Sequence, residues 1–77
     1  MATNIDLNAP TVVAVIGRQL KKHRQRVGIT QDVLADRCGI YRTYLSRIEN
    51  GTANPTILVV DALASALQLE IYDLIRE

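Results

Sequence analysis

Apolar residues recur along this chain at helical rather than strand spacing. Val13, Ile16, Leu20 and Val27 follow one another at intervals of three, four and seven, which places them on one face of a helix. Pro10 suits the first turn of that helix, and Gly28 is a natural stop. Arg24 falls on the same face, between Leu20 and Val27. A buried or half-buried guanidinium there needs a carboxylate partner. Arg18, Lys21, Lys22, His23 and Arg26 decorate the rest of the helix.

Beyond Gly28 the pattern breaks into shorter segments. Thr30 is a good N-cap for a second helix, Gln31 to Arg37, that buries Val33 or Leu34 together with Ala35 and Cys38. Gly39 supplies the left-handed conformation that lets the chain turn sharply, and Ile40 plugs the turn. A third helix is expected from about Tyr41 to Glu49, closed by the pair Asn50-Gly51. Pro55 and Thr56 open a fourth, Ile57 to Leu67, and a short fifth covers Ile71 to Arg76. Residues 1–9 read as a flexible N-terminal arm and residues 10–77 as one domain. With no alternating strand pattern and no repeat, these elements predict an all-α domain of five short helices.

The third helix has two distinct sides. With Arg42 at zero and about 100° per residue, Ser46, Asn50, Thr43 and Arg47 fall within roughly the next 140°. Leu45 and Ile48 lie opposite, with Tyr41 and Tyr44, and Glu49 sits just outside the polar arc. Two guanidiniums, two hydroxyls and an amide, with no acid among them, are groups able to read base edges in a DNA major groove. The same arc taken alone also describes an ordinary solvated helix face. The preceding helix and glycine turn favour the first meaning, because together they are the parts of a helix-turn-helix.

Composition narrows the picture. Seventy-seven residues bound the chain to one core. Cys38 is the only cysteine and His23 the only histidine, which excludes an intrachain disulfide and a zinc cluster. Phe and Trp are absent while 48% of the residues are hydrophobic, so the core must be aliphatic. The run "TVVAVIG" is too short to cross a bilayer and lacks the pattern of a secretory signal. A cytoplasmic protein without a membrane partner is expected.

Net charge is only +1, but it is unevenly divided. Thr11 to Arg47 holds eight Lys/Arg against two Asp/Glu, whereas Ile48 to Glu77 holds one arginine against five acids. A basic front and an acidic back suit a polyanion on one face, with solvated surface as the bland alternative. An enzyme is not expected. His23 has no evident Ser or Cys partner, Cys38 faces the buried side of a turn, and no glycine loop or carboxylate pair stands out. No cofactor or metal is implied.

The segment "TQDVLADRCGIYRTYLSRIENGTANPTILVVDALASAL" resembles the Cro/C1-type helix-turn-helix domain of the Xre family. The resemblance covers about residues 16 to 76. Its most specific pieces are "TQ" opening helix two, the "A…G" turn, "LSRIENG", and "NPT" before helix four. "RTYLSRIE" further resembles the controller proteins of restriction-modification systems. The family implies a five-helix, lambda-repressor-like fold with the helix-turn-helix at helices two and three. It implies double-stranded DNA as partner, with base contacts from Arg42, Thr43 and Arg47, joined by Ser46 or Tyr44. Phosphate contacts are implied for Thr30 and Gln31 at the start of helix two, and for Asn50 and Thr52 on the other side. It also implies that Arg24 pairs with Glu49 as a structural ion pair. Two departures stand out: the loop "GTANPT" lacks the basic residue many relatives place there, and "LQLE" replaces the usual Gly and Ser/Thr cap before the last helix.

Helix four is apolar nearly all round, relieved mainly by Asp61 and Ser65. One face would pack the core, and the remainder needs a partner. A homodimer is expected through Val59, Leu69, Ile71, Tyr72, Leu74 and Ile75, presenting two recognition helices to half-sites ~34 Å apart. These expectations converge on a homodimeric, sequence-specific transcriptional regulator acting on a palindromic operator and autoregulatory, of the restriction-modification controller or phage-repressor kind. The alternative is an antitoxin whose main task is to bind a partner protein.

Overall fold

The computed structural model describes residues 11–77, which form five helices and no strand. In chain order they are α1 (Val12–Val27), α2 (Gln31–Cys38), α3 (Arg42–Glu49), α4 (Ile57–Ala66) and α5 (Ile71–Ile75). The expected arm over residues 1–9 and the start at Pro10 lie outside the described residues.

Three threonines open three of the helices in the same way. The Oγ1 atoms of Thr11, Thr30 and Thr56 accept the backbone N–H of Ala14, Val33 and Val59, each at 3.2 Å. Each bond satisfies one amide that a helix leaves without a partner in its first turn. Gly28 and Gly39 close α1 and α2 with φ of +83° and +68°. Their N–H groups return to Arg24 and Gln25, and to Ala35 and Asp36. The "LQLE" departure is resolved without glycine. Gln68 takes the left-handed conformation, φ +58°, and the Asp73 carboxylate accepts the Glu70 N–H at 3.0 Å to start α5.

Every helix contributes to one core. Leu20, Leu34, Leu45, Ile48, Leu63 and Leu74 are fully buried, with Val60 beside them. Each such side chain stabilises the fold by about 1.5–3 kcal/mol of transfer free energy. The second helix buries Leu34 and leaves Val33 exposed, which settles the choice left open between them. α1 packs on α3 and α5, α2 packs on α3 and α4, and α4 packs on α5. α3 is thus held from two sides.

Gly17 makes one of these contacts close. A Cβ at that position would sit 2.5 Å from the Ile48 carbonyl oxygen and 2.8 Å from that of Glu49. Only a residue without a side chain lets α1 approach the end of α3 this tightly.

Some boundaries and burials differ from the pattern-based expectation. α3 begins at Arg42 with Tyr41 as its N-cap, α4 ends at Ala66, and α5 ends at Ile75. Val27 is exposed, because α1 ends on that turn and no element covers it. Leu74, expected at a dimer interface, is fully buried inside the single chain. α5 is so short that its inward face must plug the core between α1 and α4.

Candidate nucleic-acid interface

The buried anchor of the interface is the pair expected from Arg24 and Glu49. Arg24 Nε donates to Glu49 Oε2 at 2.7 Å and Nη2 donates to Oε1 at 3.0 Å. This is the fork-to-fork geometry that distinguishes arginine from lysine. Arg24 Nη1 donates to the Ile29 carbonyl at 2.9 Å, tying the α1–α2 turn to the same group. The two side chains are 10% and 1% exposed. The hydrogen bond to Glu49 holds the guanidinium pKa above its ordinary value; burial opposes the shift and charge attraction adds to it. The pair is structural, and it fixes the C-terminal end of α3 against α1 and α2.

Gln31 joins this cluster. Its Nε2 donates to Glu49 Oε1 at 3.0 Å, and the residue is half-buried. Its side-chain amide is therefore held toward α3, which leaves the Gln31 and Asp32 backbone amides in the first turn of α2 as the donors open to an anion. Thr30 is exposed, and its Oγ1 is already the acceptor for Val33. Its O–H proton remains able to donate.

On the outer side of α3, Arg42, Thr43 and Arg47 are all exposed and Ser46 is half-buried. Tyr44 is half-buried and packs against the core, at the boundary between the two sides. Asn50 and Thr52 are exposed at the helix exit. There Thr52 turns inward for its bonding: its hydroxyl donates to the Arg47 carbonyl at 3.2 Å, and its N–H donates to the same oxygen at 2.9 Å. Arg47 Nη2 in turn donates to the Thr52 carbonyl at 3.3 Å. This closed exchange holds the Arg47 guanidinium at the exit of α3.

Arg42 is not without acidic company. Asp32 Oδ1 in the first turn of α2 lies 3.7 Å from Arg42 Nε. Helical periodicity finds no acid on the α3 arc, but it cannot report a neighbour from another helix. The Gln31–Glu49 bond escaped the sequence for the same reason, since only the fold places those residues together.

The expected dimer residues are divided. Tyr72 and Ile75 are exposed, while Val59, Leu69 and Ile71 are half-buried against the core. Ile57 and Leu58 at the start of α4 are more exposed than any of these, at 67% and 77%. Tyr72 is partly covered by Arg76, whose guanidinium sits 4.6 Å over its ring. Among the described residues, no helix is long and apolar enough to cross a membrane.

This arrangement matches known proteins. The helix-turn-helix family model HTH_3 covers residues 20–74. The HTH-type transcriptional regulator SinR of Bacillus licheniformis is 31% identical over 82% of this chain. This chain spans 58% of the length of that relative. The restriction-modification controller protein C.AhdI from Aeromonas hydrophila superposes with a TM-score of 0.78 at 31% identity, over 80% of this chain and 94% of its own. SinR solved in complex with DNA superposes at 0.75 with 29% identity, over 79% and 98%. The buried Arg24–Glu49 pair, the glycine turn between α2 and α3, and these matches together show that this chain belongs to the Cro/C1-type (Xre) family of helix-turn-helix proteins.

Proposed function

We propose that this chain is a sequence-specific double-stranded DNA-binding transcriptional regulator, acting as a homodimer on a palindromic operator upstream of its own gene. The observation that carries the proposal is the outward set Arg42, Thr43 and Arg47 on a helix fixed from behind by α1 and α2. Arg42 and Arg47 pair with guanine edges, Thr43 and Ser46 contact neighbouring bases, and Tyr44 packs at the rim of the groove. Thr30, the α2 amides beside Gln31, and Asn50 grip the phosphates on either side. Thr52 supports this grip indirectly, by bracing Arg47. The likeness to SinR bound to DNA and to a restriction-modification controller supports this reading.

Homodimerisation through Tyr72, Ile75, Ile71, Leu69 and Val59 would cover the apolar rim of α5 and the adjoining part of α4. It would also set the acidic C-terminal half away from the phosphates. The test is footprinting of the purified protein on the DNA upstream of its own gene, with light scattering for its mass. Arg42→Ala and Arg47→Ala are each expected to weaken operator binding by about 1–3 kcal/mol and to relax specificity. Wild-type binding by both variants would remove the groove assignment, and a monomeric mass on the operator would remove the dimer.

A second reading, an antitoxin that binds a partner protein, draws on Ile57 and Leu58. They are strongly exposed and lie outside the residues assigned to the dimer. Leu58→Lys separates the two readings. An antitoxin surface predicts intact dimer mass and DNA binding with loss of binding to the product of a neighbouring gene.

A further inference from the structure

We propose that Asp32 is a specificity-determining residue, whose carboxylate positions Arg42 for base reading and opposes binding of the same face to DNA of the wrong sequence. The inference rests on the DNA-binding reading above. Asp32 is one of only two acids between Thr11 and Arg47. It stands in the first turn of α2 with its side chain 79% exposed, and its Oδ1 lies 3.7 Å from Arg42 Nε. It contributes nothing to the core. Within the interface as assigned, it is a negative charge beside the arginine that leads α3 into the groove.

A guanidinium has donors on more than one edge. Asp32 lies on the Nε side of Arg42, as a charge contact at 3.7 Å rather than a hydrogen bond, and the Nη groups form the guanidinium's other edge. That division lets Arg42 keep its contact to Asp32 while its Nη donors meet guanine O6 and N7. On a sequence without the guanine, the favourable alternative for Arg42 is a phosphate. Turning toward it leaves the Asp32 carboxylate unpaired beside the DNA backbone, where like charges repel. The same residue therefore supports the correct complex and penalises the wrong one, as discrimination by repulsion requires.

The test uses the full chain, the duplex it selects from a randomised library, and a mixed-sequence duplex. Asp32→Asn is expected to strengthen binding to the mixed-sequence duplex about three- to tenfold, the scale of one unit-charge contact. The salt dependence of that binding should steepen by about one unit, because a freed Arg42 neutralises one more phosphate. Binding to the selected duplex should not strengthen, so the ratio of the two affinities falls. In an Arg42→Ala background the same substitution should leave the ratio unchanged. A carboxylate in the first turn also favours the α2 dipole, but lost helix stability would move both affinities together. Equal changes on both duplexes, no change on either, or a ratio effect that persists without Arg42 would each overturn the assignment. If the wild-type chain enriches no duplex from the library, the DNA-binding reading itself fails.

Discussion

Gly17→Ala provides a test in which two physical effects have opposite sign. In an isolated helix the change should stabilise by about 1 kcal/mol, because alanine is the better helix former. Gly17 lies in the middle of α1, so propensity alone predicts a gain. The tertiary structure predicts a loss. A new Cβ would meet the Ile48 and Glu49 carbonyl oxygens at 2.5 and 2.8 Å, well inside van der Waals contact. Both atoms are backbone, and the Ile48 oxygen already accepts the Gly51 N–H at 3.1 Å. α1 or the end of α3 must therefore shift, at the position where Glu49 anchors Arg24. Overpacking of this kind costs about 1–3 kcal/mol, occasionally more. Against the propensity gain, the expected net loss is up to about 2 kcal/mol, and each kcal/mol lowers Tm by about 4–8 °C in a domain of this size. Thermal melts followed by circular dichroism, at one fixed protein concentration, measure it. A Tm raised above wild type, as the propensity gain alone predicts, would refute the claim that α1 and α3 touch through Gly17.

Three further outcomes follow from the same contacts. Glu49→Ala leaves the Arg24 guanidinium buried and unpaired, which should destabilise by about 3–5 kcal/mol; Arg24→Met with Glu49→Leu should recover most of that loss in urea titrations. Gln68→Gly relieves a non-glycine residue at φ +58° and should stabilise by about 0.5–1 kcal/mol, seen as a raised urea midpoint at unchanged slope. Burial pushes the Cys38 thiol pKa up, so the folded thiol stays protonated after the unfolded one ionises. Stability should therefore decline as pH rises past the ordinary thiol value, and Cys38→Ser should remove that part of the decline in urea titrations repeated across that range.

Much of the helical framework was legible because its signals are local. A threonine cap, a glycine in the left-handed region and apolar residues three and four apart act within one or two turns. Each of these located α1 to α4 to within a residue or two at the ends inside the described chain. The outward set of α3 was legible for the same reason, since one helix's periodicity decides which side chains oppose Leu45 and Ile48. Errors arose where a residue's fate depended on a neighbour distant in the chain. Leu74 reads as one more apolar residue near the C-terminus, yet it fills the core because α5 is pinned between α1 and α4. Val27 obeys the α1 period, yet no element reaches it.

The sequence by itself determined the helix count, the turn at Gly39 and the chemistry offered by Arg42, Thr43, Ser46 and Arg47. It also showed that Arg24 required an acid, while the identity of that acid came through family resemblance. Only the tertiary structure decided that Glu49 serves Arg24 and Gln31 together, that Gly17 must lack a side chain, and that Asp32 stands beside Arg42. Each of those facts joins residues on different helices. Their proximity is set by how the five helices pack around Leu20, Leu34, Leu45, Ile48, Leu63 and Leu74, and no period along one helix encodes it. The pattern of apolar and polar positions therefore tells which side chains α3 presents, and the packing tells what holds them there and which charge stands against them.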